Sequence, residues 1–198
     1  LPLTKDREYR SLLPLTPQTQ QKRIDSDYYV EGYATTFNPY LLYEIDGIKY
    51  YEVIDRNAFI GADMSDVILQ YDHEGKVLAR KSNKTLIAEP DNDGLFICAD
   101  LSKSAAAKEL YEEISNELVT RMSFSFTVAD EEYNRDTRTR TIKKFKKIYD
   151  VSAVSIPAND GTEISARSYL NGVIEGEKRE SLERRKKLLQ LIIELEDF

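Results

Sequence analysis

Apolar and polar residues alternate cleanly in the stretch LVTRMSFSFTV, residues 118–128. Met122, Phe124, Phe126 and Val128 take one set of positions, and Arg121, Ser123, Ser125 and Thr127 take the other. A period of two predicts a β-strand with one buried face and one polar, solvated face. Other runs of β-branched and aromatic residues predict further strands: YYVEGYATTF (28–37), DVILQYD (66–72), VLAR (77–80), TLIAE (85–89), LFICADL (95–101) and KIYDVSAVSIPA, which Pro157 ends. In LLYEIDGIKYYEVI (41–54), Asp46-Gly47 separates two strand-like runs, a hairpin signal because both central residues of a type I′ turn need positive φ. Glu74-Gly75 is read as a turn, DRNAFIGAD (55–63) as a short helix or loop, and the dozen polar residues after Val128 as a loop.

Two helices stand out. Ala105–Ala107 followed by Leu110, Ile114 and Leu118 at i+4 spacing predicts a helix over 105–118, capped by Ser102 or Ser104. After Ala166, GEKRESLERRKKLLQLIIELEDF is one charged helix whose stripe of Leu182, Leu189 and Ile192 or Ile193 needs a partner surface. Seven or more short strands with one central helix predict an α+β, β-rich fold, a barrel or sandwich with added helices. The polar N-terminal residues, with Pro14, Pro17 and several glutamines, read as a loosely attached arm. The expected organisation is an arm over 1–26, a β-rich domain over 27–166 and a helical tail over 167–198.

Composition narrows the chemistry. The chain has 198 residues, 41% hydrophobic and 32% charged, enough for one domain with a tail. A formal charge of -7 argues against nucleic acid as the main partner. No apolar run approaches the roughly 18 residues of a membrane span. One cysteine excludes an intramolecular disulfide framework. The single histidine, His73, excludes sites built on two histidines of one chain, and no Gly-rich phosphate loop or Cys/His metal spacing occurs, so neither cofactor nor metal is expected. Six cations between Arg138 and Lys147 fit a solvated hairpin or a surface for an acidic partner, and also a phosphate grip.

Three residues invite a catalytic reading. A serine hydroxyl needs a base, and histidine is the usual one near neutrality. Ser123 lies mid-strand on the polar face, and His73 follows the strand DVILQYD. By themselves, a serine on such a face and a histidine at a strand end are also ordinary structural features. Asp150 interrupts the apolar run IYDVSAV, where a buried carboxylate needs a partner, either His73 or one of the nearby lysines and arginines. Cys98, in an apolar strand, is a rival nucleophile but fits core packing.

In order along the chain, YVEGYATTF, VIDRNAFIG, ILQYDHE, RMSFSFTV and YDVSAVSIPAND resemble the HK97-type prohead maturation proteases of tailed bacteriophages, over residues 28–166. The resemblance implies an assemblin-like β-barrel surrounded by helices and a serine endopeptidase that removes scaffold segments from the major capsid protein and then digests itself. It implies action in the host cytoplasm inside the assembling procapsid, on major capsid protein and scaffold segments, with no membrane or nucleic acid partner. It places the family histidine at His73, the family serine at Ser123 and an acidic third member at Asp150, with oxyanion donors near Arg121. Ser125 stands where glycine is usual in the family, and Asp150 is shorter than the family's usual residue. A non-catalytic scaffolding module on the same fold is the competing expectation. The tail helix is expected to mediate self-association or docking to scaffold. A third reading, a carbohydrate-binding domain, rests only on thirteen tyrosines.

Overall fold

The computed structural model describes residues 7–16 (side chains for 7–10 only), 22–45, 47–154, 172, 175–176 and 178–190. Ten strands form one sheet: β1 (Glu8–Thr16), β2 (Tyr29–Thr36), β3 (Tyr40–Ile45), β4 (Ile48–Ile54), β5 (Ile68–Tyr71), β6 (Glu74–Arg80), β7 (Leu86–Pro90), β8 (Gly94–Asp100), β9 (Arg121–Asn134) and β10 (Thr139–Val154). The order is β3-β4-β10-β9-β1-β2-β8-β7, with β5 and β6 branching from β10. The fold is α+β and β-rich. The path runs from β3 to β7 without closing, so the closed barrel implied by the resemblance is not formed among the described residues.

β10 organises the sheet. Its 16 residues pair antiparallel with β9 along nearly their whole length. On its other edge Thr139–Ile142 pair parallel with β4, and Asp150–Ala153 pair parallel with β5. The polar stretch after Val128, expected as a loop, instead continues β9 to Asn134 and turns directly into β10. Cross-strand pairing overrides the low β-propensity of its acidic residues.

The core gathers Phe124, Phe126 and Phe145, with ring centroids 4.8–6.2 Å apart, and Phe59 against Phe145 at 4.7 Å. Cys98 is buried on β8 beside Tyr29 and Phe96, where burial pushes its thiol pKa up; this is core packing. Helix α1 (Ala105–Ser115) buries Ala107, Leu110 and Ile114, and its N-cap is Ser104, whose hydroxyl accepts from the Ala107 N–H at 3.1 Å. The helix ends before the expected Leu118. Glu117 turns left-handed at φ +58°, and Leu118 faces solvent at 72% exposure. The Asp46-Gly47 hairpin forms as expected at Gly47, with φ +78° and Ile45 opposite Ile48; Asp46 lies outside the described residues.

Two expectations are corrected. The first is the loosely attached arm: residues 8–14 pair with β9, and Leu15 and Thr16 pair with β2. The second is the solvated face of β9. From Met122 to Val128 both faces are buried, and Ser123 and Ser125 are fully so, on a strand whose two edges are paired with β10 and β1. In the tail, residues 178–190 are helical and exposed, with Leu182, Leu188 and Leu189 each more than half exposed; Ile192 and Ile193 lie outside the described residues. Arg135, in the β9–β10 turn, meets Glu180 of this helix at 2.5 and 3.0 Å.

A buried ionic cluster ties four strands together. Arg10 of β1 makes a two-pronged contact with Glu52 of β4 at 2.6 and 2.8 Å and reaches Glu8 at 2.8 Å. Arg140 of β10 donates to Glu8 at 2.6 and 2.8 Å, to Glu52 at 2.8 Å and to Glu131 of β9 at 2.8 Å. The Tyr40 hydroxyl donates to Glu52 as well. Burial alone would raise the Glu8 carboxyl, but Arg140 and Arg10 override it and hold it at about 2. Arg140, one cation in a run read as solvent-facing, is 1% exposed. Replacing it strands buried carboxylates, which costs about 3–5 kcal/mol. Arg140→Met is therefore expected to lose that much stability in urea unfolding, and a loss under about 1 kcal/mol would contradict the role of the cluster. Because Glu8 is depressed in the folded state, its contribution is present above its ordinary value of 4.5 and disappears as pH falls toward 2. Acid unfolding of the wild type should accelerate in that window, and less so in Glu8→Gln.

Candidate active site

The site begins in the sequence Tyr71-Asp72-His73-Glu74. Tyr71 and Glu74 pair across a two-residue hairpin, and both residues between them are left-handed, Asp72 at φ +48° and His73 at φ +61°. That is the backbone of a type I′ turn. The expected turn at Glu74-Gly75 thus lies two residues earlier, on the histidine itself. Aspartate and histidine are among the non-glycine residues that tolerate this region best, at a cost of about 1 kcal/mol or more each. Backbone bonds hold the turn to the sheet: Asp72 N–H donates to the Ala153 carbonyl at 2.9 Å, and His73 N–H donates to the Ser152 hydroxyl at 3.2 Å.

Register supplies the partners. Ser123 lies opposite Ser152, and Ser125 opposite Asp150, across the β9–β10 ladder. With side chains alternating between faces, all four share one face of the sheet. The His73 ring reaches this face. Its Nδ1 is 2.6 Å from Asp150 Oδ1, and its Nε2 is 2.6 Å from Ser123 Oγ. The three residues singled out from the sequence are thus adjacent in space. The Tyr9 ring of β1 meets the imidazole edge-on, with centroids 4.7 Å apart.

Asp150 is fully buried and offered four side-chain donors. On Oδ1 they are His73 and Ser152, the latter at 3.0 Å; on Oδ2 they are the Ser125 hydroxyl and Arg7. Burial would raise this carboxyl, but the His73 hydrogen bond and charge, the Ser125 bond and Arg7 bring it below the ordinary carboxylate value. An ionised carboxylate only accepts, so a proton of His73 sits on Nδ1, and whenever the ring carries no second proton Nε2 accepts from Ser123. The proton of Ser125 is engaged differently. Ser125 accepts from Arg7 Nε at 2.9 Å and Nη2 at 2.7 Å and gives its own hydrogen to Asp150. Ser123 alone of the two touches the imidazole. The serine in the position where the resemblance expects glycine thus occupies the second oxygen of Asp150.

Sequence reasoning left the partner of Asp150 open between His73 and a cation, and the structure provides both. The cation, Arg7, comes from the segment read as an arm and is held over the Tyr149 ring at 4.6 Å. Ser152 was also missed. Its signal was period two from Asp150 in DVSAV, which puts it on the same face.

A hydroxyl, an imidazole and a carboxylate linked in this order form the arrangement that serine hydrolases use to activate a nucleophile. A family model described as caudovirus prohead serine protease matches residues 17–173, and the chain belongs to that family. Neither the curated proteins nor the solved structures gave a significant match.

Proposed function

We propose that the protein is a prohead maturation protease that cleaves capsid protein and its scaffold segments, with Ser123 as nucleophile, His73 as general base and Asp150 as the residue that orients the base and stabilises its protonated form. The observation that carries this reading is the unbroken chain Ser123–His73–Asp150, both links 2.6 Å. Membership of a serine protease family, whose prohead enzymes act in the assembling procapsid of the host cell, supports it. No helix among the described residues is long and apolar enough to cross a membrane. Self-cleavage and kinship with the assemblin barrel belong to the same proposal.

The chemistry follows from the proton positions. As Ser123 Oγ bonds to the scissile carbonyl carbon, its proton passes to His73 Nε2, and Asp150 stabilises the resulting imidazolium. The imidazolium gives that proton to the departing amine as the C–N bond breaks, leaving an acyl-enzyme. Water, deprotonated by the same nitrogen, then releases the acid and restores the serine. No part of this sequence calls for a metal or cofactor. Asp150 holds its charge below the ordinary carboxylate range, so orientation of the base survives mild acid.

The second reading, a scaffolding module without catalysis, draws on the complete burial of Ser123 in this structure. A fluorophosphonate probe separates the two. The proposal expects labelling at Ser123, abolished in His73→Ala and slowed about a thousandfold or more in Asp150→Asn. The pair His73→Ala with Ser123→Ala should be no less active than either alone, because such groups act as a unit. Labelling at Ser125, or none at any serine, contradicts the assignment. The exposed leucines of residues 178–190 further support self-association through the tail. Deleting residues 173–198 should lower the mass measured by light scattering to that of a monomer; an unchanged mass would refute the idea.

A further inference from the structure

Asp150 Oδ1 serves His73 and Ser152, while its other oxygen, Oδ2, takes no part in the proton path from Ser123. That second oxygen is nevertheless doubly held, by the Ser125 hydroxyl and by Arg7 Nη2. The same guanidinium donates to Ser125 Oγ from Nε at 2.9 Å and from Nη2 at 2.7 Å. Two donors fill the lone pairs of that hydroxyl, so its hydrogen is directed to the carboxylate. Arg7 is itself fixed. Its Cζ lies 4.6 Å from the centroid of the Tyr149 ring and 5.5 Å from that of Tyr9, the ring that meets His73 edge-on. The flat guanidinium therefore touches both Asp150 and the ring that packs on the imidazole.

We propose that Arg7 and Ser125 are positioning residues of the active site: together they clamp Asp150 Oδ2, so that Oδ1 stays on His73 Nδ1 and Nε2 stays aimed at Ser123. Their effect on turnover rests on the catalytic reading of Ser123, His73 and Asp150. Neither touches the reacting atoms. The terminal torsion of an aspartate has a broad well, so a carboxylate held by one oxygen alone can turn about its Cβ–Cγ bond and carry the imidazole with it. Bonds to Oδ2 remove that freedom. The charge of Arg7 adds a second effect. A cation beside Asp150 opposes protonation of the His73–Asp150 pair, which titrates as a unit. The other titratable or charged groups around the pair are Tyr9 of β1, Tyr71 of β5, Asp72 and Glu74 beside His73 in its turn, Arg121 of β9, and Tyr149 and Lys147 of β10. Lys147 is engaged by Asp63 at 2.8 Å. With its side chain 36% exposed, Arg7 can be exchanged without opening the core.

The test reads the base directly, because His73 is the single histidine of the chain and gives one imidazole signal. The full chain, carrying isotopically labelled histidine, is titrated by NMR as wild type, Arg7→Gln, Arg7→Lys and Ser125→Ala. Arg7→Gln should move the titration midpoint to higher pH, since a charge that opposed protonation is gone, and should lower the share of the Nδ1–H tautomer in the neutral ring. Arg7→Lys keeps the charge but not the planar fork, so the midpoint should stay while the tautomer share falls. Ser125→Ala should lower the tautomer share as well. In the same proteins, fluorophosphonate labelling of Ser123 should slow about tenfold or more in Arg7→Gln and in Ser125→Ala, the scale of one hydrogen bond to a charged group. Arg7→Lys should recover part of the loss. The double variant should be no slower than the slower single one, because both residues act through Oδ2. An imidazole midpoint and tautomer share that are the same in Arg7→Gln and Ser125→Ala as in wild type overturn the clamp, and so does slowing that multiplies in the double variant. If wild type takes no label at Ser123, the catalytic reading is at fault, and the histidine spectra alone decide the clamp.

Discussion

A carboxylate buried at the centre of a β-sheet dictates the arrangement around it. Asp150 lies in β10 with β9 on one side and β5 on the other, out of reach of water. A charge in that position is destabilising by several kcal/mol unless its oxygens are satisfied. Each donor that satisfies it comes from a different place in the chain: Arg7 before β1, His73 from the β5–β6 turn, Ser125 from β9 and Ser152 from β10 itself. Meeting the requirements of the carboxylate therefore fixes the imidazole, and fixing the imidazole aims Nε2 at Ser123. The same bonds that offset the burial of Asp150 assemble the reactive geometry.

β10 carries a second buried charge, Arg140, ten residues earlier, and the two ends of the strand divide the labour. At the Arg140 end, β1, β4 and β9 are locked together by paired charges with Glu8, Glu52 and Glu131. At the Asp150 end, parallel pairing with β5 carries the His73 turn to the sheet. β1 and the residue just before it serve both ends, with Arg10 and Glu8 in the cluster and Tyr9 and Arg7 at the site. A segment with the composition of an arm is thus structural and close to the chemistry. Buried ion pairs add less net stability than their geometry suggests, but breaking one is costly, so they hold register firmly.

What was legible in the sequence was what local patterning controls. Strand periodicity located nearly every strand, a serine at 102 or 104 announced the start of α1, and Asp46-Gly47 marked its hairpin. The catalytic candidates were also visible, because a single histidine leaves few options and a lone aspartate in an apolar strand demands a partner. Long-range pairing was not visible. The pairing of β9 with β1 was hidden because Pro14 obscures the strand character of β1. The extension of β9 and β10 through acidic and basic residues depends on charges meeting across strands, as with Arg140 and Glu131. The turn on Asp72-His73 was misplaced by two residues because Gly75 is the more obvious turn former. Arg7 gave no local signal at all, since its partner is 143 residues away.

Cleavage of the capsid protein by Ser123, activated by His73, is the step on which the proposed function stands. The direct measurement is intact mass over time for the cognate capsid protein co-assembled with wild type or with Ser123→Ala. Defined capsid fragments should accumulate with wild type alone. Identical fragments with both proteins, or a capsid protein left whole by both in assembled shells, would contradict it.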